Sequence, residues 1–433
     1  MQFYSTNHRS RQVSFREALL KGLADDHGLF MPVEIPSLPA KFFAQLRSLS
    51  LPEIAFIVAE KFINQDIANS ALQKIVAESL NFAAPLIQLD DDLCVLELFH
   101  GPTLAFKDFA ARFMAKTMSY FVQNAERELK VLVATSGDTG SAVANGFFNV
   151  PGIRVIILYP QGKVSRIQEQ QLTTLDGNIT ALEIAGTFDD CQRLVKQAFS
   201  DNELNRTLFL TSANSINIAR LIPQSFYYFH AVAQAPNPNL PVIFSVPSGN
   251  FGNLTGGLIA KKMGLPVAKF IAANNANDVF LNYWRTGIYQ AKSTLTTLSN
   301  AMDVGNPSNF ARVAELYQHH VSEIRQDIYA ASFSDEQTKL AMKEIFDQYQ
   351  YIVDPHTAVA YLGLIDYVRH YPGRYTKIFL ATAHPAKFSE IVKEVIGSEV
   401  SMPERLHTCL NRPKQAIPLG KEYHDFKDFL LKL

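Results

Sequence analysis

Four short segments of this 433-residue chain combine residue types that can do chemistry. In LAFKDFAARFMAKTM (residues 104–118), Phe106, Phe109, Ala110, Phe113, Met114 and Thr117 recur at helical spacing, so the segment reads as an amphipathic helix. Lys107 falls beside that stripe in the first turn, where a cation opposes the helix dipole. Apolar neighbours in that half of a helix lower an amine's pKa, and such an amine can form an imine. The plainer alternative is a solvated lysine paired with Asp108. A second segment, VLVATSGDTGSAVANGF, is an apolar run that ends in Ser136, Gly137, Asp138, Thr139 and Gly140 and enters a helix. At the carboxyl edge of a parallel strand this turn presents helix N-terminal N–H groups to the crevice, a geometry that binds an anion. Helix capping alone also accounts for its residue types.

The third segment, VIFSVPSGNFGNLTGG, repeats the logic with Ser248, Gly249, Asn250, Phe251, Gly252 and Asn253. It matches neither the Walker pattern nor the dinucleotide fingerprint. It lies inside a stretch of 40 residues, 221–260, without Asp, Glu, Lys or Arg, so a phosphate held there is bound by helix dipole and neutral donors. The fourth, KIFLATAHPAKF, brings Thr382 to the carboxyl end of a strand, followed by His384, Pro385 and Lys387. The Thr382 hydroxyl can meet a ring nitrogen or simply cap a turn. His319 and His320 are adjacent on a probable helix, where neighbouring side chains diverge, and no metal site is expected.

The elements that must position these segments follow from hydrophobic patterning. From about residue 93 onward, short near-continuous apolar runs (95–98, 131–135, 154–160, 207–212, 242–247, 269–275 and 377–383) alternate with helical stretches. Such runs belong to parallel strands covered on both faces, and the fold class is α/β. The first ~90 residues read as mostly helical, with helices near 15–23, 51–62 and 68–82. The expected division is a helical unit over 1–92, an α/β lobe over 93–236 and a second over 237–433. The proline-rich turn at 237–241 marks the last boundary unless it is an ordinary turn before a strand.

Composition bounds the partners. Forty Lys and Arg balance 41 Asp and Glu, which removes the electrostatic footprint of non-specific nucleic-acid binding. Three scattered cysteines neither staple a secreted domain nor give metal-ligand spacing, and the amino-terminal segment has no apolar signal region. The expected setting is cytoplasmic, with small-molecule partners, no membrane, and a monomer or homodimer.

Taken in order, HGPTLAFKDF, ATSGDTGS, VPSGNFGN, NAMDVGNPSN and TAHPAKF closely resemble threonine synthases of the longer bacterial and fungal type. VSFREALLKGL, GLFMP and NSANSINIARL extend the similarity over nearly the whole chain. The resemblance implies pyridoxal-phosphate (PLP) fold type II, with two open twisted sheet lobes, flanking helices and the helical N-terminal unit. It implies that Lys107 carries the cofactor as an imine, that residues 248–253 cradle its phosphate, and that Thr382 meets the pyridine nitrogen. It further implies that residues 136–140 receive the substrate carboxylate or lie against the cofactor, that Asn214, Ser215, Asn217 and Arg220 line the site, and that Lys163, Ser165 and Gln168 meet the substrate phosphate. The implied reaction converts O-phospho-L-homoserine and water to L-threonine and phosphate; the alternative is a serine or threonine dehydratase using the same cofactor. One departure from the family pattern is His27, where a small or amide residue is usual.

Overall fold

The computed structural model describes residues 1–123 and 125–433. The apolar runs form two sheets. The larger is ordered Ile328–Ser332, Val267–Asn274, Val242–Pro247, Thr376–Ala381, Leu93–Glu97, Leu86–Asp90. Its first five strands are parallel, and Leu86–Asp90 closes one edge antiparallel to its neighbour. The smaller sheet is parallel throughout, ordered Ile417–Leu419, Ile179–Ile184, Ile153–Pro160, Leu129–Ala134, Phe209–Ser212. Every residue of Leu129–Ala134 and of Val242–Pro247 is buried, Lys130 and Ser245 included, as near-continuous apolar runs require of strands with helices on both faces.

The sheets cross the linear division expected from sequence. Leu93–Glu97 falls within the expected 93–236 lobe but pairs with Thr376–Ala381 in the other sheet. Ile417–Leu419 falls within 237–433 yet pairs with Ile179–Ile184. An apolar run specifies that a strand is buried, not which sheet buries it, so neither crossing is written locally. The first 92 residues hold the expected helices, at Phe15–Lys21, Leu51–Ile63 and Asn69–Ser79, and also a small antiparallel sheet of Gln2–Ser5, Val13–Ser14 and Phe30–Pro32. Its strands are too short for a periodicity of two to register. His27 has φ 63°, in the left-handed region where glycine and asparagine are favoured; this explains why a small or amide residue suits that position.

The N-terminal unit docks on the body through polar anchors. Arg312 is fully buried, and its guanidinium donates to the Phe30, Ser215 and Ile216 carbonyls and to Asn309 Oδ1. Asn217 Nδ2 donates to the Leu19 and Ser212 carbonyls. The unit thereby braces the loop after Phe209–Ser212 from behind. Among the described residues no helix is long and apolar enough to cross a membrane.

Candidate active site

Each sequence-predicted segment follows the carboxyl end of a parallel strand. Residues 98–107 leave Leu93–Glu97, residues 135–140 leave Leu129–Ala134, residues 213–220 leave Phe209–Ser212, residues 248–253 leave Val242–Pro247, and residues 382–387 leave Thr376–Ala381. That is where ligands bind in open α/β sheets.

Lys107 opens the helix Lys107–Val122 at the seam of the two sheets. The turn ahead of it is pinned to the end of Thr376–Ala381: Phe106 N–H donates to the Thr382 carbonyl at 2.9 Å, His384 N–H donates to the Leu104 carbonyl at 3.1 Å, and Ala105 bridges Ala383. Leu104 takes φ 58°, a strained conformation for a branched side chain, within that pinned turn. Asp108 is not a partner of Lys107. It is buried and turned back onto its own loop, accepting from Thr103 N–H at 2.8 Å and Thr103 Oγ1 at 2.7 Å. Burial raises its carboxyl to about 6 against those bonds. The solvated ion pair is thus excluded. Lys107 keeps partial exposure, and burial by the surrounding protein lowers its amine to about 8. Asp138 opposes that effect, while Arg220 and Lys387 add to it.

At the junction of residues 136–140, Thr135 Oγ1 accepts from the N–H groups of Gly137 at 3.0 Å and Gly140 at 2.8 Å. A side-chain oxygen of the protein itself therefore fills much of this turn. Asp138 is buried and committed as well: its Oδ1 takes Lys387 Nζ at 2.6 Å and Gln168 Nε2 at 3.0 Å. Burial would raise that carboxyl, but Lys387 and Lys107 together with the two hydrogen bonds hold it well below the usual carboxylate range. Ser136 and Thr139 keep partial exposure, and their hydroxyls make no hydrogen bond among the described residues.

The junction of residues 248–253 is built differently. Gly249 packs against the Asn300–Met302 turn so closely that a Cβ there would lie 2.6 Å from Met302 Cα. Phe251 adopts φ 60° to start the helix Gly252–Lys262. Asn250 is clamped, its Nδ2 on Ser215 Oγ at 2.6 Å and its Oδ1 on Ser308 N–H at 2.7 Å, so the NPSN stretch buttresses this loop. Asn253 Oδ1 accepts from the hydroxyls of Tyr227 and Tyr228, while its Nδ2 is buried without a partner. No hydrogen bond from the N–H groups of residues 249–253 is found among the described residues. This is an open, neutral cradle of donors at a helix N-terminus, and it fits a cofactor phosphate.

Arg220 supplies the remaining charge. It is buried and donates Nη1 to the Ala213 carbonyl at 2.8 Å; among the described residues it has no carboxylate partner and its Nε is unpartnered. Burial lowers it to about 10, so it stays cationic at neutral pH. The Thr382 hydroxyl makes no hydrogen bond among the described residues and remains available to a ring nitrogen.

Other expected residues have structural occupations. Asn214 clasps Ala134, with Nδ2 on its carbonyl at 2.7 Å. Ser215 Oγ receives Asn250 and Asn309. Ser165 caps the helix Arg166–Thr173 in a reciprocal pair with Gln168, and Lys163 lies exposed on the turn before it. Sequence reasoning assigned no role to Lys387, which is fully buried between Asp138 and the Thr103 carbonyl. The available signal was a lysine in TAHPAKF followed directly by a phenylalanine. Tyr227, Tyr228, Ser308, Asn309 and Arg312 were also missed as supports.

Comparison with known proteins gives three family matches: "Pyridoxal-phosphate dependent enzyme" over residues 79–382, "Threonine synthase N terminus" over 2–80 and "Threonine synthase, C-terminal" over 357–430. The chain is 44% identical over 434 residues to threonine synthase of Serratia marcescens, covering 100% of both. Among solved structures it is similar to threonine synthase from Escherichia coli, with TM-score 0.93, 42% identity and 100% of both chains covered. It is also similar to PLP-bound threonine synthase from Brucella melitensis, with TM-score 0.92, 35% identity, and 99% and 98% of the two chains covered.

Proposed function

Because the chain belongs to the threonine synthases within the PLP-dependent enzymes, we propose that Lys107 is the residue that carries the cofactor and moves protons in a conversion of O-phospho-L-homoserine and water to L-threonine and phosphate. The observation that carries this reading is the placement of Lys107, part-exposed in the first turn of its helix where the ends of parallel strands from both sheets meet, with Asp108 bonded to Thr103 and Asp138 to Lys387. Bound PLP supplies the electron sink for a substrate carbanion.

The chain's own residues do the rest. The N–H groups of Gly249, Asn250, Phe251, Gly252 and Asn253, with Asn253 Nδ2 and Ser248, hold the cofactor phosphate, and Thr382 Oγ1 meets the ring nitrogen. A threonine hydroxyl, unlike a carboxylate, does not hold that nitrogen protonated. Released as a neutral amine, Lys107 Nζ takes the substrate Cα proton, gives it up, and then takes a Cβ proton. Phosphate leaves from Cγ and takes one proton, and Cγ receives another and becomes the methyl group. Water adds its hydroxide at Cβ and gives up its remaining proton, and Lys107 returns a proton to Cα, so that three protons are removed and three delivered. Ser136 and Thr139 receive the substrate carboxylate. Arg220, with its free Nε, is placed to bind the leaving phosphate. Lys163, which is exposed, is the weaker choice for that role.

The test is incubation of the PLP-loaded protein with phosphohomoserine, following phosphate release and threonine together. Equimolar threonine and phosphate are expected. Formation of 2-oxobutyrate from threonine as the dominant activity would favour the dehydratase instead. Lys107→Ala removes the visible absorption of the PLP-loaded protein and lowers turnover by at least about a thousandfold, the combined effect of losing cofactor attachment and the general base.

A further inference from the structure

The Asp138–Lys387 pair joins the two sheets at their seam, since Asp138 follows a strand of the smaller sheet and Lys387 follows a strand of the larger. Lys387 Nζ also donates to the Thr103 carbonyl at 3.0 Å, and Thr103 in turn holds Asp108, the residue after Lys107. Burying two charges is costly, and an apolar pair would bridge the loops as well. The place of this pair beside Lys107 gives it a purpose.

Among the described residues, three charged groups act through space on the Lys107 amine: Asp138 from the junction after Leu129–Ala134, Arg220 from the short helix Ile218–Leu221, and Lys387 from the segment after Thr376–Ala381. Asp108 on its own helix is turned away to Thr103. If Asp138 were unpaired it would draw Lys107 into an ion pair, and an ammonium has no lone pair with which to take a proton. Lys387 holds Asp138 at 2.6 Å in a fully buried contact, and Gln168 fixes the same oxygen. Gln171 Nε2 donates to the Thr103 carbonyl at 3.0 Å and steadies the other end.

We propose that Lys387 is a positioning residue whose pairing with Asp138 cancels the carboxylate field that bears on Lys107, so that the lysine can work as a base near neutral pH. This rests on the reading of Lys107 given above. The pair has opposite signs at its two ends, and its removal from either end must therefore act on Lys107 in opposite directions.

The experiment is a pH titration of the visible absorption band of the PLP-loaded protein, together with the acid limb of the pH profile of kcat/KM, in wild type and four variants. Lys387→Met leaves Asp138 uncompensated and shifts both upward by about one pH unit or more. Asp138→Asn leaves Lys387 and Arg220 uncompensated and shifts both downward. The double variant returns to within about half a pH unit of wild type, because it removes a neutral pair. Lys387→Arg keeps the charge and restores the wild-type position in whichever protein folds. A purely architectural pair would lower melting temperature and turnover while leaving the titration in place, and that result overturns the inference. So do shifts of the same sign from the two single variants. If Lys387→Met fails to fold, Asp138→Asn alone decides, since an unchanged or upward titration contradicts the proposal. Lys107→Ala separates the two claims: persistence of the band there sinks the reading of Lys107, whereas loss of the band there with unshifted pair variants sinks only the role of Lys387.

Discussion

At the end of Leu129–Ala134 the turn into the next helix carries Asp138 and settles that charge on Lys387 and Gln168, while Thr135 Oγ1 occupies two of the turn's own N–H groups. At the end of Val242–Pro247 the corresponding turn has no charge and no internal oxygen, and the N–H groups of residues 249–253 are left for a ligand. Both are glycine-rich strand-to-helix junctions facing one crevice. The first is filled from within and holds its electrostatics constant beside the reacting lysine, whereas the second is held open by a frame of amides and hydroxyls contributed by Ser215, Ser308 and the two tyrosines. A permanent cofactor anion suits the open junction, and the part-exposed Ser136 and Thr139 of the filled one suit a substrate that comes and goes.

The most forceful way to break this comparison is to put a charge into the neutral junction. In Asn250→Asp the carboxylate still accepts from Ser308, and the Ser215 hydroxyl can reverse its bond to donate, so the fold is retained. At an effective dielectric near 20, a unit charge and a dianion of like sign about 6–8 Å apart repel by about 4–6 kcal/mol, so PLP affinity falls by about a thousandfold or more. Equilibrium titration of apoprotein with PLP measures this, and a thermal melt showing a small change confirms that folding is intact. Unchanged affinity would mean that residues 248–253 are not the phosphate cradle.

The next effect is steric and separates the junctions by ligand. In Gly249→Ala the new methyl meets backbone, Met302 Cα at 2.6 Å and Met302 O at 2.9 Å, so the Asn300–Met302 turn must yield, at about 1–3 kcal/mol. PLP affinity should fall by about tenfold or more while KM for substrate, measured at saturating PLP, stays within about threefold. Gly137→Ala meets the Gln168 side chain at 2.5 Å and forces an alanine to φ 142°. Here KM should rise by a similar factor with PLP affinity kept. Steady-state kinetics at saturating PLP and cofactor titration of both variants read the crossover directly.

Why the two junctions looked alike from sequence shows what was legible and what was not. The strands Leu129–Ala134 and Val242–Pro247 are near-continuous apolar runs with one polar residue each, Lys130 and Ser245, and the glycines, Ser136, Asp138 and Asn250 are local features that a strand-to-helix turn explains in place. Ile179–Ile184 and Ile328–Ser332 escaped notice because Thr180, Glu183 and Ser332 interrupt their apolar pattern. What distinguishes the junctions is non-local: Lys387 reaches Asp138 from the other sheet, and Ser308 reaches Asn250 across two helices, a strand and a long loop. Lys107 was legible as an unusual lysine, but the reason its amine lacks a counter-ion lies in Thr103 and Lys387, whose contacts depend on Leu93–Glu97 joining the larger sheet.

The smallest predicted effect tests whether the first junction is truly filled from within. Thr135 is buried, and a valine there keeps its shape while removing the oxygen that accepts from Gly137 and Gly140. Two N–H groups in a closed turn lose their partner, which costs about 1–3 kcal/mol of stability, offset in part if water enters. Chemical denaturation should show that loss with little change in slope. Because those N–H groups already serve the turn, PLP affinity should not move, and KM should change by less than about threefold, since Ser136 and Thr139 are untouched. A fall in PLP affinity as large as that of Gly249→Ala would reverse the assignment of the two junctions. It would mean that the Thr135 hydroxyl stands where an anion's oxygen otherwise sits, and that the junction after Leu129–Ala134 holds the cofactor phosphate.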